Sequence, residues 1–190
     1  QEKKLLNLNR KNFLIDLLKK YKQKGLIQEK SDFTFTDKSL ENFFYIQLIK
    51  EIFPNAKVIN LKRKPLSSIM SILKNNLTEV PWAHDLENIF RYFDIYYREI
   101  NHFEKIFPNF IYNLHYEQFV NDPEKESKKL LEFCNLEWDK KCLEFYKRKD
   151  LISKTASNAQ IREAIYKHST EKYLPYKFFL NRFSEKYSWF

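Results

Sequence analysis

Glycine is almost missing from this chain. Gly25 is the one glycine in 190 residues. A loop that cradles phosphate on its backbone needs glycine where N–H groups approach the ligand closely. Neither a GxGxxG turn nor a P-loop can be written with this sequence. Cysteine is scarce as well. Cys134 and Cys142 are too few for a disulfide framework, and their surroundings read as helical core, so a reducing, cytoplasmic setting is expected. No apolar run approaches the ~20 residues of a membrane-crossing helix. No internal repeat, low-complexity segment or Gly/Ser linker breaks the chain. The first residue is Gln1, not Met, so a missing targeting signal carries no information.

What is present narrows the class. A hydrophobic share of 43% and an aromatic share of 17% argue against disorder. A length of 190 residues fits a single domain over residues 1–190, with ample chain for a core. Lys and Arg number 34 against 25 Asp and Glu, and the net charge of +9 suggests an acidic or phosphate-bearing partner. A nucleic-acid platform would interleave aromatics with basic residues. Here most aromatics fall on apolar helix faces instead. Nucleic acid is therefore not the expected partner, nor is a membrane, although a basic binder of either kind stays open as an alternative.

The stretch FPNAKVINLKRKPLSSIMS, residues 53–71, organises the rest. Pro54-Asn55 is a turn. Val58, Ile59 and Leu61 form a short β-branched run that reads as a buried strand. Lys62, Arg63 and Lys64 stand where the strand should end. Pro65 suits the first turn of a helix, where its missing N–H would be unpaired anyway. Ile69, Met70 and Ile72 supply that helix with an apolar face. Ligands of open α/β sheets bind at the carboxyl ends of strands, and a helix N-terminus favours an anion. Ser71 lies eight residues after Arg63. A helix starting at Pro65 carries Ser71 roughly 9 Å along its axis, within reach of a long arginine folded back over the first turns. Guanidinium and hydroxyl can then share one phosphate. The same residues also fit a plainer reading: a surface arginine at a strand end and a serine on a solvated helix face.

The remaining elements follow from spacing. Phe13, Leu14, Leu17 and Leu18 predict a helix over 12–25 that stops at Gly25. Residues 33–35 are a strand candidate. Ser39 is placed to cap a helix over 40–53, which is apolar on more than one side and so expected to be well buried. Residues 75–85 read as a loop. A long aromatic-rich helix covers 85–107 and breaks at Pro108-Asn109. Residues 110–115 suit a second buried strand, followed by a short helical turn to Asp122-Pro123. Two short helices, 123–135 and 139–146, come next. A polar loop covers 147–158, and 160–183 reads as helical pieces broken near Pro175. This order argues for an α/β sheet with a helical C-terminal cap.

Polar residues recur at the turns. Lys38 follows the first strand candidate, Arg63 the second and Tyr116 the third. If the strands are parallel, all three emerge on one edge of the sheet. Taken singly, Lys38 is a solvated lysine and Tyr116 a packing residue. The segment 154–162 adds hydroxyls, an amide and two cations; it suits an anion clamp or an ordinary loop.

Six blocks in order, TDKSLENF, IFPNAKVINLKRKPLSSIMSI, WAHDLENIFRYF, YEQFVNDPE, LLEFCNLEWDKKCLEF and TASNAQIREAIYKHSTEKY, resemble the C-terminal two-thirds of the sulfotransferases. The likeness runs roughly from residue 33 to residue 180. It is strongest toward the bacterial branch often fused to tetratricopeptide repeats, which is similar to tyrosylprotein sulfotransferases. The resemblance implies a P-loop-like parallel sheet flanked by helices. It implies 3′-phosphoadenosine 5′-phosphosulfate (PAPS) as the sulfuryl donor, PAP as the product, no metal, and a hydroxyl acceptor, protein tyrosine among the candidates. Arg63 and Ser71 match the pair that holds the 3′-phosphate, and Tyr116 matches a further nucleotide contact. Ser157, Gln160, Ile161 and Arg162 match the C-terminal loop over the cofactor, and Lys172 matches a lysine that closes it. Lys38, after a one-residue shift, matches a lysine near the 5′ side. By analogy with phosphoryl transfer, Lys38 and the Ser157 hydroxyl would stabilise charge developing on the leaving phosphate oxygen. His84, His102, His115 and His168 are available as bases, but none stands out.

The family pattern also has parts that this sequence lacks. No first strand, glycine-containing phosphosulfate loop or catalytic glutamate precedes Phe33. The chain thus reads as the C-terminal part of a longer protein, a truncated frame or a degenerate paralogue. It is expected to be inactive alone, and either to be marginally stable or to self-associate as a homo-oligomer through an exposed sheet. A non-catalytic nucleotide-binding or interaction module of the same fold is the alternative.

Overall fold

In a computed structural model, residues 2–25, 34–75, 77–148, 162–166, 173–183 and 185–189 are described. They divide into two compact units, Gln1–Ala56 and Lys57–Phe190. The first unit opens with helix α1 (Glu2–Gln23). It starts earlier than the apolar spacing predicts, because Glu, Lys and Leu are all good helix formers. The helix ends where expected. Gly25 has φ of 66°, a left-handed conformation open to glycine at little cost, and its N–H donates to the Lys22 carbonyl at 2.9 Å.

Three expectations for this unit need correction. Thr34 and Phe35 form no strand, and Phe33 lies outside the described residues. Phe35 instead packs edge-on against Tyr21 (6.0 Å) and Phe53 (6.1 Å), while the Tyr21 hydroxyl donates to Asp37 at 2.9 Å. Ring packing and a side-chain anchor have displaced sheet pairing. The helix expected over 40–53 forms in two parts, a 3₁₀ turn (Asn42–Tyr45) and helix α2 (Ile46–Ile52), and no side chain caps either. Nor is it well buried. Phe43 and Ile46 are inside, but Phe44, Tyr45 and Leu48 are 42–54% exposed.

The second unit holds the sheet. Strand β1 (Val58–Lys62) pairs in parallel with strand β2 (Ile111–His115), from Val58 opposite Ile111 to Lys62 opposite His115. Among the described residues this is a two-stranded sheet. Between the strands lie helix α3 (Pro65–Asn75), a 3₁₀ turn (Pro81–His84) and helix α4 (Leu86–Ile106). Asp85 caps α4 by accepting from the Asn88 N–H at 3.0 Å, and Asn109 turns the chain into β2 with φ of 64°. After β2 come helix α5 (Tyr116–Asn121) and helix α6 (Pro123–Phe133). Asp122 caps α6 through the Lys125 N–H, with Pro123 in the first turn. A kinked 3₁₀ segment (Lys140–Lys147) and helix α7 (Lys177–Asn181) complete the unit.

The core sits where α3 and α4 meet the C-terminal segment. Ile69, Ile89, Phe90, Leu180 and Phe183 are fully buried together. Phe90 stacks on Phe183 at 4.2 Å, and Trp189 lies against Phe90 and Tyr97. Each such side chain contributes about 1.5–3 kcal/mol by leaving water. This packing fixes α3, and α3 fixes the turn that follows β1. Among the described residues, no helix is long and apolar enough to cross a membrane.

Candidate functional site

Because β1 and β2 are parallel and in register, their carboxyl ends lie side by side. Arg63 and Tyr116 are the first residues beyond those ends. The structure brings them together: the Arg63 guanidinium carbon stands 5.0 Å from the centre of the Tyr116 ring. A cation held over an aromatic face has fewer orientations to lose when it meets an anion. The next residue is tied as well. The Lys64 N–H donates to Glu117 Oε1 at 2.9 Å, and the Lys64 carbonyl accepts from the N–H groups of Ser67 and Ser68. Lys64 therefore closes the first turn of α3, which begins at Pro65 as its sequence predicts.

The three basic residues of this turn are not equivalent. Lys62 is still in the strand and pairs with Glu104 at 3.6 Å, so its charge is already matched. Arg63 is half-buried and Lys64 exposed. Lys62 belongs to a polar chain beneath α4. The Tyr96 hydroxyl donates to Asn60 Oδ1 at 2.7 Å, Asn60 Nδ2 donates to Asn113 Oδ1 at 2.9 Å, and Asn113 Nδ2 donates to Glu104. Burial pushes the Tyr96 phenol up to about 12. Tyr97, next along α4, is raised by burial and by the negative charge of Glu117. Thus α4 borders the same edge on which Arg63 and Tyr116 meet.

Ser71 lies in the second turn of α3, half-buried. Asn75, one turn on, donates from Nδ2 to the Ser71 carbonyl at 2.8 Å and to its hydroxyl oxygen at 3.2 Å. The hydroxyl hydrogen thus remains available to point elsewhere. Arg162 is exposed, and its guanidinium donates to the Arg148 carbonyl at 2.8 Å. Ser157, Gln160, Ile161 and Lys172 lie outside the described residues, as does His168. Lys38 is exposed in the irregular stretch 34–39 of the first unit. His84, His102 and His115 are exposed. Sequence reading overlooked Glu117, Asn75 and the Asn60–Asn113 pair. Glu117 sits beside Tyr116 in a YE pair, but its partner Lys64 is 53 residues away.

A model of the sulfotransferase family matches residues 9–140. The chain belongs to the sulfotransferase family. A protein of Aquifex aeolicus (strain VF5), described as uncharacterized, is 40% identical over 148 residues, which is 76% of this chain and 19% of that protein. The chain therefore spans about a fifth of that relative's length. Among solved structures, a sulfotransferase domain from the curacin biosynthetic pathway matches with a TM-score of 0.63 at 18% identity, covering 75% of this chain and 56% of that one. At that identity the likeness speaks for the fold: a sulfotransferase fold, mixed helix and parallel sheet, as the sequence blocks imply.

Proposed function

We propose that this sulfotransferase chain binds PAPS at the carboxyl edge of β1 and β2, gripping the 3′-phosphate of the nucleotide, in the service of sulfuryl transfer to a hydroxyl acceptor. The observation that carries the reading is the Arg63 guanidinium held 5.0 Å over the Tyr116 ring at the ends of two parallel strands, directly before α3. The donor set suits a phosphate dianion: a guanidinium offers paired N–H donors, a serine hydroxyl a third, and the α3 N-terminus a favourable field. Arg63 would take the 3′-phosphate from the strand side and Ser71 from the helix side, with Tyr116 holding the guanidinium plane. When bound, the donor supplies the sulfuryl group. Lys38, Ser157, Gln160, Ile161, Arg162 and Lys172 join this site by resemblance alone, Lys38 and Ser157 in stabilising the leaving phosphate. Protein tyrosine stays among the acceptors this reading admits.

Binding is what the reading assigns to these residues first. Gly25, the one glycine, closes α1, so no glycine remains for a loop around the phosphosulfate. A hydrogen bond to a charged group is worth roughly 1.5–3 kcal/mol, so Arg63→Ala should weaken adenosine 3′,5′-bisphosphate binding by about tenfold or more. Calorimetry against adenosine 5′-monophosphate is the test. Equal affinity of the wild-type chain for both nucleotides, or no loss in the variant, contradicts the assignment.

A further inference from the structure

Glu117 stands next to Tyr116 at the start of α5, half-buried. Its Oε1 accepts from the Lys64 N–H at 2.9 Å, across 53 residues of sequence. That bond joins the end of β2 to the turn after β1. Tyr116, from the same helical turn, places its ring under Arg63 at 5.0 Å. Two successive residues of α5 thus hold two successive residues of the β1–α3 turn, one through a backbone amide and one through a guanidinium. We propose that Glu117 is a positioning residue of the anion site, fixing the β1–α3 turn through Lys64 so that Arg63 is presented to the 3′-phosphate. The inference rests on the proposed function of that edge.

Electrostatics makes the proposal sharp. A carboxylate beside an anion site repels the ligand, and Glu117 also bears on Tyr97, whose phenol it helps to raise. Its charge alone therefore weakens phosphate binding, whereas its bond to Lys64 strengthens it by holding the turn. The two effects separate in two variants. Glu117→Gln removes the charge and keeps an acceptor oxygen. Glu117→Ala removes both.

The experiment combines an NMR readout without ligand with calorimetry using adenosine 3′,5′-bisphosphate and adenosine 5′-monophosphate as probes. In Glu117→Ala, the Lys64 amide should lose protection from hydrogen exchange, and the Arg63 δ-protons should lose the ring-current shift of Tyr116. Bisphosphate affinity should fall by about tenfold while monophosphate affinity barely moves. Glu117→Gln should keep the Lys64 protection and bind the bisphosphate at least as well as the wild type. Unchanged or tighter bisphosphate binding in Glu117→Ala overturns the proposal, because repulsion then outweighs positioning. Equal loss in both variants overturns it too, because the oxygen acceptor would then not be what matters. An undisturbed Lys64 amide in Glu117→Ala overturns it without reference to any ligand. If the wild type shows no preference for the 3′-phosphate, the functional reading of the edge fails, and the Lys64 and Arg63 signals alone decide whether Glu117 holds the turn.

Discussion

The two strands of the sheet carry similar apolar sequences and live in different surroundings. On one face they behave alike. Asn60 of β1 and Asn113 of β2 meet in a hydrogen-bonded pair that continues to Tyr96 and Glu104. On the other face they part. Tyr112 of β2 packs on Phe133 of α6 at 5.1 Å, and Leu114 is buried. Ile59 and Leu61 of β1 are 43% and 58% exposed. The sequence leads one to expect two buried strands, since parallel sheets are usually covered on both faces. Here β1 is held by register and by polar bonds on the Asn60 face, while Ile59 and Leu61 on the other face stay exposed.

This contrast is breakable at several points. Asn60→Leu keeps the size but removes two hydrogen bonds, the one Asn60 accepts from the Tyr96 hydroxyl and the one it donates to Asn113 Oδ1. Each lost bond costs about 1–3 kcal/mol in a part-buried setting, so urea unfolding should show a loss of about 3 kcal/mol, the largest effect expected on either strand. Phe133→Ala strips the cover from β2 and should cost about 2 kcal/mol in the same assay, because Phe133 is only partly buried.

The phenol of Tyr96 supplies a pH arm. Its folded value of about 12 lies above the ordinary 10.0, so the folded chain holds this proton where the unfolded chain has released it. The contribution is complete below pH 10 and is lost as the pH rises from about 10 to about 12, worth about 3 kcal/mol in all. Alkaline unfolding curves should therefore shift to higher pH in Tyr96→Phe once its lower neutral stability is allowed for. A curve with unchanged pH dependence would place that hydroxyl in a more solvated setting. Leu61→Ser, on the uncovered face, should change stability by no more than about 0.5 kcal/mol. A loss as large as that from Phe133→Ala would mean that something covers Leu61 in solution and would erase the contrast.

How far the sequence could be read follows the same division between local and distant causes. Pro65 opens α3, Asp85 caps α4, Asp122-Pro123 opens α6 and Gly25 closes α1, all as their chemistry dictates within a few residues. Arg63 and Tyr116 were legible as strand-end residues once the strands were parallel. What stayed hidden depends on partners far along the chain. Asn60 and Asn113 look like ordinary polar interruptions until 53 residues of separation are folded away. Glu117 looks like a solvated helix residue until Lys64 reaches it. The aromatic pull on Phe35 and the exposed side of α2 also depend on packing, which periodicity does not register. The role of Ser71 still rests on its place in α3 and on resemblance.

The account turns on whether Arg63 receives the 3′-phosphate. The most direct measurement is an NMR titration of the chain, labelled at arginine side chains, with adenosine 3′,5′-bisphosphate. The account predicts that the Arg63 Nε–H resonance moves on saturation, with the Lys64 amide following, and that adenosine 5′-monophosphate at equal occupancy leaves both nearly in place. Identical movement with both nucleotides, or saturation that shifts other arginines and leaves Arg63 unmoved, would contradict it.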